Sequence, residues 1–255
     1  MTVRGRQSFI GEAILSFWLW IISSCFFFTV VPVLILIGIF VDPRKNDGPQ
    51  RWMSRWTVKL AGGNVEVYKS PGFDPQRTCF LVSNHVNLFD PWVLYGSIPQ
   101  FFRGLELESH FRIPVYGWLM RRFGNVPVPD VTRPSDLKRM WRLTQGALDR
   151  GVSLLVFPEG SRTITGHVGP LQDGVFRMAL RFGMPITPVS IVGSFEFNRK
   201  TSWMLRPSRI VVQLHDTIET KDWDKRDVAG LRDRVREIIS APVEEHMKHN
   251  LDYEV

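Results

Sequence analysis

His85 and Asp90 stand in the run Ser83-Asn84-His85-Val86-Asn87-Leu88-Phe89-Asp90, and Phe157-Pro158-Glu159-Gly160-Ser161-Arg162 follows further along the chain. An imidazole held by a carboxylate is a general base. It accepts a hydroxyl proton while the acid fixes its tautomer and steadies the imidazolium that forms. In the second motif Arg162 can grip phosphate oxygens in a bidentate fork, and Gly160 lets backbone amides approach them. The plainer reading of the first pair is a strand-end histidine and a helix cap, and Asp90 before Pro91 has the look of an N-cap. The setting favours chemistry, because each motif directly follows an apolar strand-like run, where side chains project into the cleft at the end of a sheet.

Those runs belong to an alternation that begins after Gly62-Gly63. Val65 to Tyr68, Thr78 to Ser83, Phe101 to Leu107, Val152 to Phe157, Ile186 to Val192 and Ile210 to His215 read as strands. Between them, helices are expected from Asp90-Pro91, over Tyr116 to Arg122, from Pro134 toward Arg150, over Gly174 to Phe182, and from Asp227 to about His249. Leu231, Val235, Ile238 and Ile239 fall on one face of the last helix. The pattern predicts an α/β fold, with a central, mostly buried sheet flanked by helices.

Ahead of this lies a hydrophobic block. From Ala13 through Val41 no charged residue occurs, which is long enough to cross a bilayer as a helix. The run is far longer than a signal-peptide core and has no Ala-x-Ala-like cleavage site after it, so it should stay in the mature protein. Pro32 offers a break, and a hairpin immersed around it is the alternative to a single span. Arg44, Lys45, Arg51, Arg55 and Lys59 outnumber Arg4 and Arg6, which puts the remainder of a spanning chain on the cytoplasmic face. Trp18 and Trp20 fit a membrane interface. Trp52 and Trp56, interleaved with Arg51, Arg55 and Lys59, form either a headgroup-facing surface or a helix packed on the following domain. The expected division is therefore a membrane-anchoring helical region over 1–60 and a catalytic domain over 61–255.

The net charge of +7 is dispersed along the chain, and no nucleic-acid-binding signature accompanies it. Membrane lipid is the better partner for such a chain. Cys25 and Cys79, the only two cysteines, make no disulfide framework, and nothing beside either points to a nucleophile. His110, His167, His215, His246 and His249 have no metal-ligand spacing, His246 and His249 are expected on an exposed helix face, and no metal is expected. A Gly-x-Ser-x-Gly elbow is also missing, which lowers the case for a serine esterase.

Taken together, His85-x-x-x-x-Asp90, the Phe157 to Arg162 motif and Ile186-Thr187-Pro188-Val189-Ser190 resemble the glycerolipid acyltransferase family that includes the 1-acyl-glycerol-3-phosphate acyltransferases. The resemblance runs over roughly Ala61 to Val192, in matching order and separation. It implies acyl transfer from a thioester of coenzyme A or acyl carrier protein, used as co-substrate with no bound cofactor, to a lysophospholipid hydroxyl. His85 and Asp90 would be catalytic, and Glu159, Gly160, Ser161 and Arg162 would bind the acceptor, with Arg162 facing phosphate. Lysophosphatidic acid is the acceptor implied first. Three departures count against it, because family-like cations are missing before Phe111-Arg112-Ile113-Pro114, after Val126-Pro127-Val128-Pro129, and at Asp173. Arg112, Arg121, Arg122 and Arg133 are the available substitutes. A different lysophospholipid or lipid alcohol is the alternative acceptor. A non-catalytic protein that holds anionic lipid is the alternative of another class, and acceptor-independent thiol release would mark a hydrolase.

Overall fold

The computed structural model describes residues 3–130 and 133–249. Seven strands form one sheet: β1 (Gly63–Lys69), β2 (Phe80–Ser83), β3 (Phe102–Leu107), β4 (Val126–Val128), β5 (Ser153–Val156), β6 (Ile186–Val192) and β7 (Ser208–Leu214). Their order across the sheet is β1-β7-β6-β2-β5-β3-β4. The β4, β3, β5, β2 and β6 strands run parallel, and β7 pairs antiparallel with β6. The central strands β2 and β6 are buried at every position, as expected of near-continuous apolar runs covered on both faces.

Among the described residues eight α-helices complete the fold, α1 (Val3–Phe40), α2 (Asp47–Leu60), α3 (Asp90–Ser97), α4 (Tyr116–Phe123), α5 (Pro134–Asp149), α6 (Gly174–Phe182), α7 (Ser194–Phe197) and α8 (Val228–His249), with a 3₁₀ turn over Glu108–Arg112. One face of the sheet packs on Met140 and Leu148 of α5, Phe176 of α6, and Leu231, Val235 and Ile239 of α8. The other face receives Val58 of α2, Val93 and Leu94 of α3, and Phe197 of α7. The predicted strands and helices thus appear in the expected order, and the α/β architecture stands.

The amino-terminal block differs from expectation at Pro32, because α1 runs through it without a break and no hairpin forms. Contacts on both sides of the proline hold the helix together. Val31 and Leu34 pack on Met53, Leu119 and Phe123, and Phe27 meets Trp92 at 5.6 Å between ring centroids. At 38 residues α1 is about 57 Å long. Its buried positions Ser16, Ser23, Val31, Leu34 and Gly38 recur on one stripe facing the domain. Phe17, Trp18, Phe28, Val33, Leu36 and Phe40 are exposed on the rest.

Trp20, expected at an interface, is turned inward instead. Its indole N–H donates to the Trp203 carbonyl at 2.7 Å, and its ring lies 5.5 Å from Phe89. Arg51 is likewise not a lipid-facing cation. It is buried, and its guanidinium donates to the carbonyls of Tyr95, Ile98 and Gln100, while Arg55 donates to Gly96. These carbonyls end α3 and the turn after it, where a cation completes the orphan acceptors and opposes the helix dipole. Trp52 and Trp56 remain half exposed, with Trp52 against Phe26 of α1 and Lys59 over the Trp56 ring.

Candidate active site

The register of the sheet builds the site. Val82 pairs with Val156, and Ser83 with Val189, so the chain leaves β2, β5 and β6 side by side at the carboxyl edge of a parallel sheet. This is where open α/β sheets gather ligands. His85 comes from the loop after β2, Phe157 begins the loop after β5, and Ser194 opens α7 just after β6.

His85 Nδ1 lies 2.9 Å from Asp90 Oδ2, and the Asp90 carboxylate is fully buried. The same oxygen accepts the backbone N–H of Val86 at 2.5 Å and of Asn87 at 2.9 Å, while Oδ1 accepts the Ser194 hydroxyl at 2.8 Å. A buried carboxylate is tolerable only with such donors around it. Asp90 also sits in the first turn of α3, where the helix dipole favours negative charge. The expected N-cap is nevertheless not formed. Phe89 occupies the capping position without a side-chain bond, because the Asp90 carboxylate is turned back onto the 85–87 loop.

Asn87 links two of the loops by donating to the carbonyl of Ser194 at 2.7 Å and to its hydroxyl at 2.6 Å. Asn84 bridges to Ile191 through both ends of its amide. The Phe157 ring stacks on the imidazole with centroids 4.2 Å apart. Asp90 thus engages Nδ1 and leaves the other imidazole nitrogen to act. If Nδ1 carries the proton donated to Asp90, Nε2 is the acceptor.

The four residues expected to bind an acceptor occupy different settings. Gly160 adopts a left-handed φ of 72° in the turn closed by its N–H on the Phe157 carbonyl at 3.1 Å, and a side chain there would strike Gln172. Gly160 and Ser161 are exposed, and Arg162 is half-buried. The Arg162 carbonyl accepts Lys200 Nζ at 3.0 Å, while its guanidinium makes no hydrogen bond or ion pair among the described residues. Next to it, the Thr163 N–H donates to the His85 carbonyl at 2.9 Å, which ties the arginine's loop to the imidazole's. Glu159 is engaged within the protein, accepting the N–H of His85 at 2.8 Å and of Gly169 at 2.9 Å. Burial pushes its carboxyl above the usual range, against the opposing pull of those two amides.

Where family-like cations are absent, acids have found other partners. Glu108 pairs with Arg139 at 2.7 Å, Asp130 accepts the N–H and hydroxyl of Ser109, and Asp173 binds Arg177 and Arg232. Of the candidate substitutes, Arg121 is engaged by the Phe111 carbonyl, Arg122 meets the Val41 carbonyl at only 3.5 Å, and Arg112 and Arg133 are exposed. His246, expected on an exposed face, is half-buried on Glu196 at 3.0 Å.

A largely apolar cavity of about 90 Å³ opens beside Phe157, the ring stacked on His85, and is lined also by Leu155, Trp92, Phe102 and Leu119 among others. Ser194 had no linear signal as an Asp90 partner. Ser194 lies 104 residues from Asp90, and only the parallel pairing of β2 with β6 joins them. Phe157 stood within a recognised motif, but its stacking role follows from the shared level at which β2 and β5 end.

The family model described as Acyltransferase matches residues 64–192. A chloroplastic 1-acyl-sn-glycerol-3-phosphate acyltransferase, BAT2 of Brassica napus, is 34% identical over a stretch covering 46% of this chain and 33% of its own. The Pseudomonas aeruginosa protein of the same activity name is 21% identical over 91% of this chain and 93% of its own. The chain spans about a third to a half of the length of the plant relatives first matched. Among solved structures, the 1-acyl-sn-glycerophosphate acyltransferase PlsC of Thermotoga maritima superposes with a TM-score of 0.77 at 22% identity, covering 96% of this chain and 98% of that one. That likeness establishes the common fold. The matched family stretch contains β2, β5, β6 and both motif loops, and the chain belongs to the acyltransferase family.

Proposed function

We propose that the protein is a membrane-bound lysophospholipid O-acyltransferase that moves a fatty acyl chain from a thioester to lysophosphatidic acid, giving phosphatidic acid. The observation that carries this reading is the His85 imidazole, oriented by a buried and fully hydrogen-bonded Asp90 and stacked on Phe157, whose ring also lines an apolar cavity. His85 Nε2 takes the acceptor's hydroxyl proton as that oxygen attacks the thioester carbonyl. The C–O bond forms, the C–S bond breaks, and the proton is passed to the departing sulfur to give a thiol. Asp90 steadies the transient imidazolium. A thiolate leaves far more readily than an alkoxide, so the step needs no separate strong acid.

The Arg162 guanidinium, unengaged among the described residues, is the candidate ligand for the acceptor phosphate. The apolar cavity suits the acyl chain. The curated relatives named for acylation of 1-acyl-sn-glycerol 3-phosphate support that acceptor. We assign residues 1–60 to membrane anchoring and 61–255 to catalysis, on the cytoplasmic face. Since α1 is covered along one side by the domain from Ser16 to Gly38, immersion of its exposed face in one leaflet fits better than an isolated span.

The test presents the purified protein with acyl-CoA and acyl carrier protein donors against a panel of lysolipids, with products identified by mass spectrometry. Phosphatidic acid formed from lysophosphatidic acid is the expected result, and Arg162→Ala should raise the KM for that acceptor at least tenfold. Preference for a phosphodiester acceptor would replace the headgroup assignment. Thiol release without an acceptor would indicate a hydrolase.

A further inference from the structure

We infer that Glu159 is a positioning residue that sets the backbone of His85, and not a ligand of the acceptor; this rests on the reading of His85 as the general base. The peptide unit of His85 is held from both ends by the loop after β5. Glu159 Oε1 accepts its N–H at 2.8 Å, and its carbonyl accepts the N–H of Thr163 at 2.9 Å. The other oxygen, Oε2, accepts the N–H of Gly169 at 2.9 Å. Both carboxylate oxygens are therefore occupied by main-chain donors, which a carboxylate can satisfy and an amide cannot.

The loop that carries Glu159 is itself closed. The Gln172 N–H donates to the Pro158 carbonyl at 2.9 Å, and Arg236 of α8 donates to the carbonyls of Val168 and Gly169. A Cβ on Gly169 would lie 2.9 Å from Glu159 Oε2, so that position is open only to glycine while the carboxylate stays in place. Phe157, at the start of the same loop, stacks on the imidazole. A single loop thus fixes His85 by its ring, its N–H and its carbonyl, and Glu159 is the member that reaches from one side of the loop to the other.

Two variants separate this role from substrate binding. Glu159→Gln retains the shape but cannot accept from both amides, and Gly169→Ala pushes on the carboxylate without altering it. Each is expected to lower kcat by about 10- to 100-fold, as a small misplacement of the base does, while the acceptor KM stays within about twofold and the melting temperature confirms folding. The double variant should be little worse than either single one. A rise of tenfold or more in acceptor KM at unchanged kcat in Glu159→Gln would overturn the inference, as would a Gly169→Ala enzyme with wild-type kcat. Selective ¹⁵N-histidine labelling supplies a readout that needs no turnover. The His85 amide resonance should move in both variants, and an unmoved resonance would also overturn the inference. Absence of acyl transfer by the wild-type protein from every donor to every acceptor would defeat the functional reading instead, with the amide resonance still deciding the role of Glu159.

Discussion

Two histidine–carboxylate pairs stand at the ends of β2 and β3, on either side of β5, and they differ in how firmly the carboxylate is held. His85 and Asp90 follow β2, with the nitrogen and oxygen 2.9 Å apart, and Glu106 and His110 bracket the end of β3 at 2.5 Å. In the first pair the side chains are 20% and 0% exposed, and in the second 42% and 22%. Asp90 collects two backbone amides and a serine hydroxyl besides the imidazole, and Phe157 closes over the ring. Glu106 has the Tyr116 hydroxyl as a further partner, and its histidine stands in a short 3₁₀ turn at the surface. The shorter contact is the less committed one. A carboxylate orients an imidazole for catalysis only when its own position is fixed by donors it cannot exchange for water.

The strongest way to break this contrast is to remove each histidine. His85→Ala should lower acyl transfer by at least about 10³-fold, within the range for loss of a general base, whereas His110→Ala should cost less than about 10-fold. Thiol release and product mass spectrometry measure both. Equal losses would erase the distinction drawn from burial.

Next come the acids. Asp90→Asn places an amide nitrogen or a single acceptor among four donors, so activity should fall about 100-fold, and stability by about 1–3 kcal/mol in chemical denaturation. Glu106→Gln, at a partly exposed pair, should change stability by less than about 1 kcal/mol. Ser194→Ala removes only one of the donors to Asp90, for an expected loss of about 1 kcal/mol and a few-fold in kcat. If Ser194→Ala has no effect on kcat, the bond from β6 to the Asp90 carboxylate does not contribute to orienting His85.

The smallest effect concerns a third kind of histidine. His215 meets the buried Ser190 hydroxyl at 2.7 Å, and burial holds its imidazole below the usual range, with Asp216 pulling the other way. The folded value is thus below the unfolded one. As pH falls the unfolded chain takes up the proton first, so the stability present above about pH 6.5 declines below it and levels off once the folded form is protonated as well. Thermal melts across that range should show a slight fall in the wild type that is reduced in His215→Gln. A flat wild-type profile would show that His215 protonates equally well in both states.

Much of the sheet was legible because its strands are short apolar runs between turns, and buried parallel strands leave that mark in sequence. The pairing of His85 with Asp90 was legible for a related reason, since a loop of a few residues keeps both at one strand end. The behaviour of Arg51, Trp20 and Pro32 was not. A basic residue beside tryptophans reads as a membrane face, and only the placement of α3 opposite α2 supplies carbonyls that draw Arg51 inward. Pro32 reads as a break because it removes a helical hydrogen bond, and packing on either side outweighs that loss.

Residue order alone determined that an imidazole and a carboxylate sit together after one strand, that an arginine follows a glycine turn after another, and that an uncharged apolar run precedes both. Those features are local, and local chemistry is written in neighbouring residues. Only the tertiary structure decided that Ser194 completes the shell of Asp90, that Phe157 covers His85, and that Glu159 reaches the His85 amide instead of open space. These contacts join residues 72 to 104 positions apart. They exist because parallel strands must be linked by long crossovers, which bring distant loops to one edge of the sheet in a way no linear spacing records.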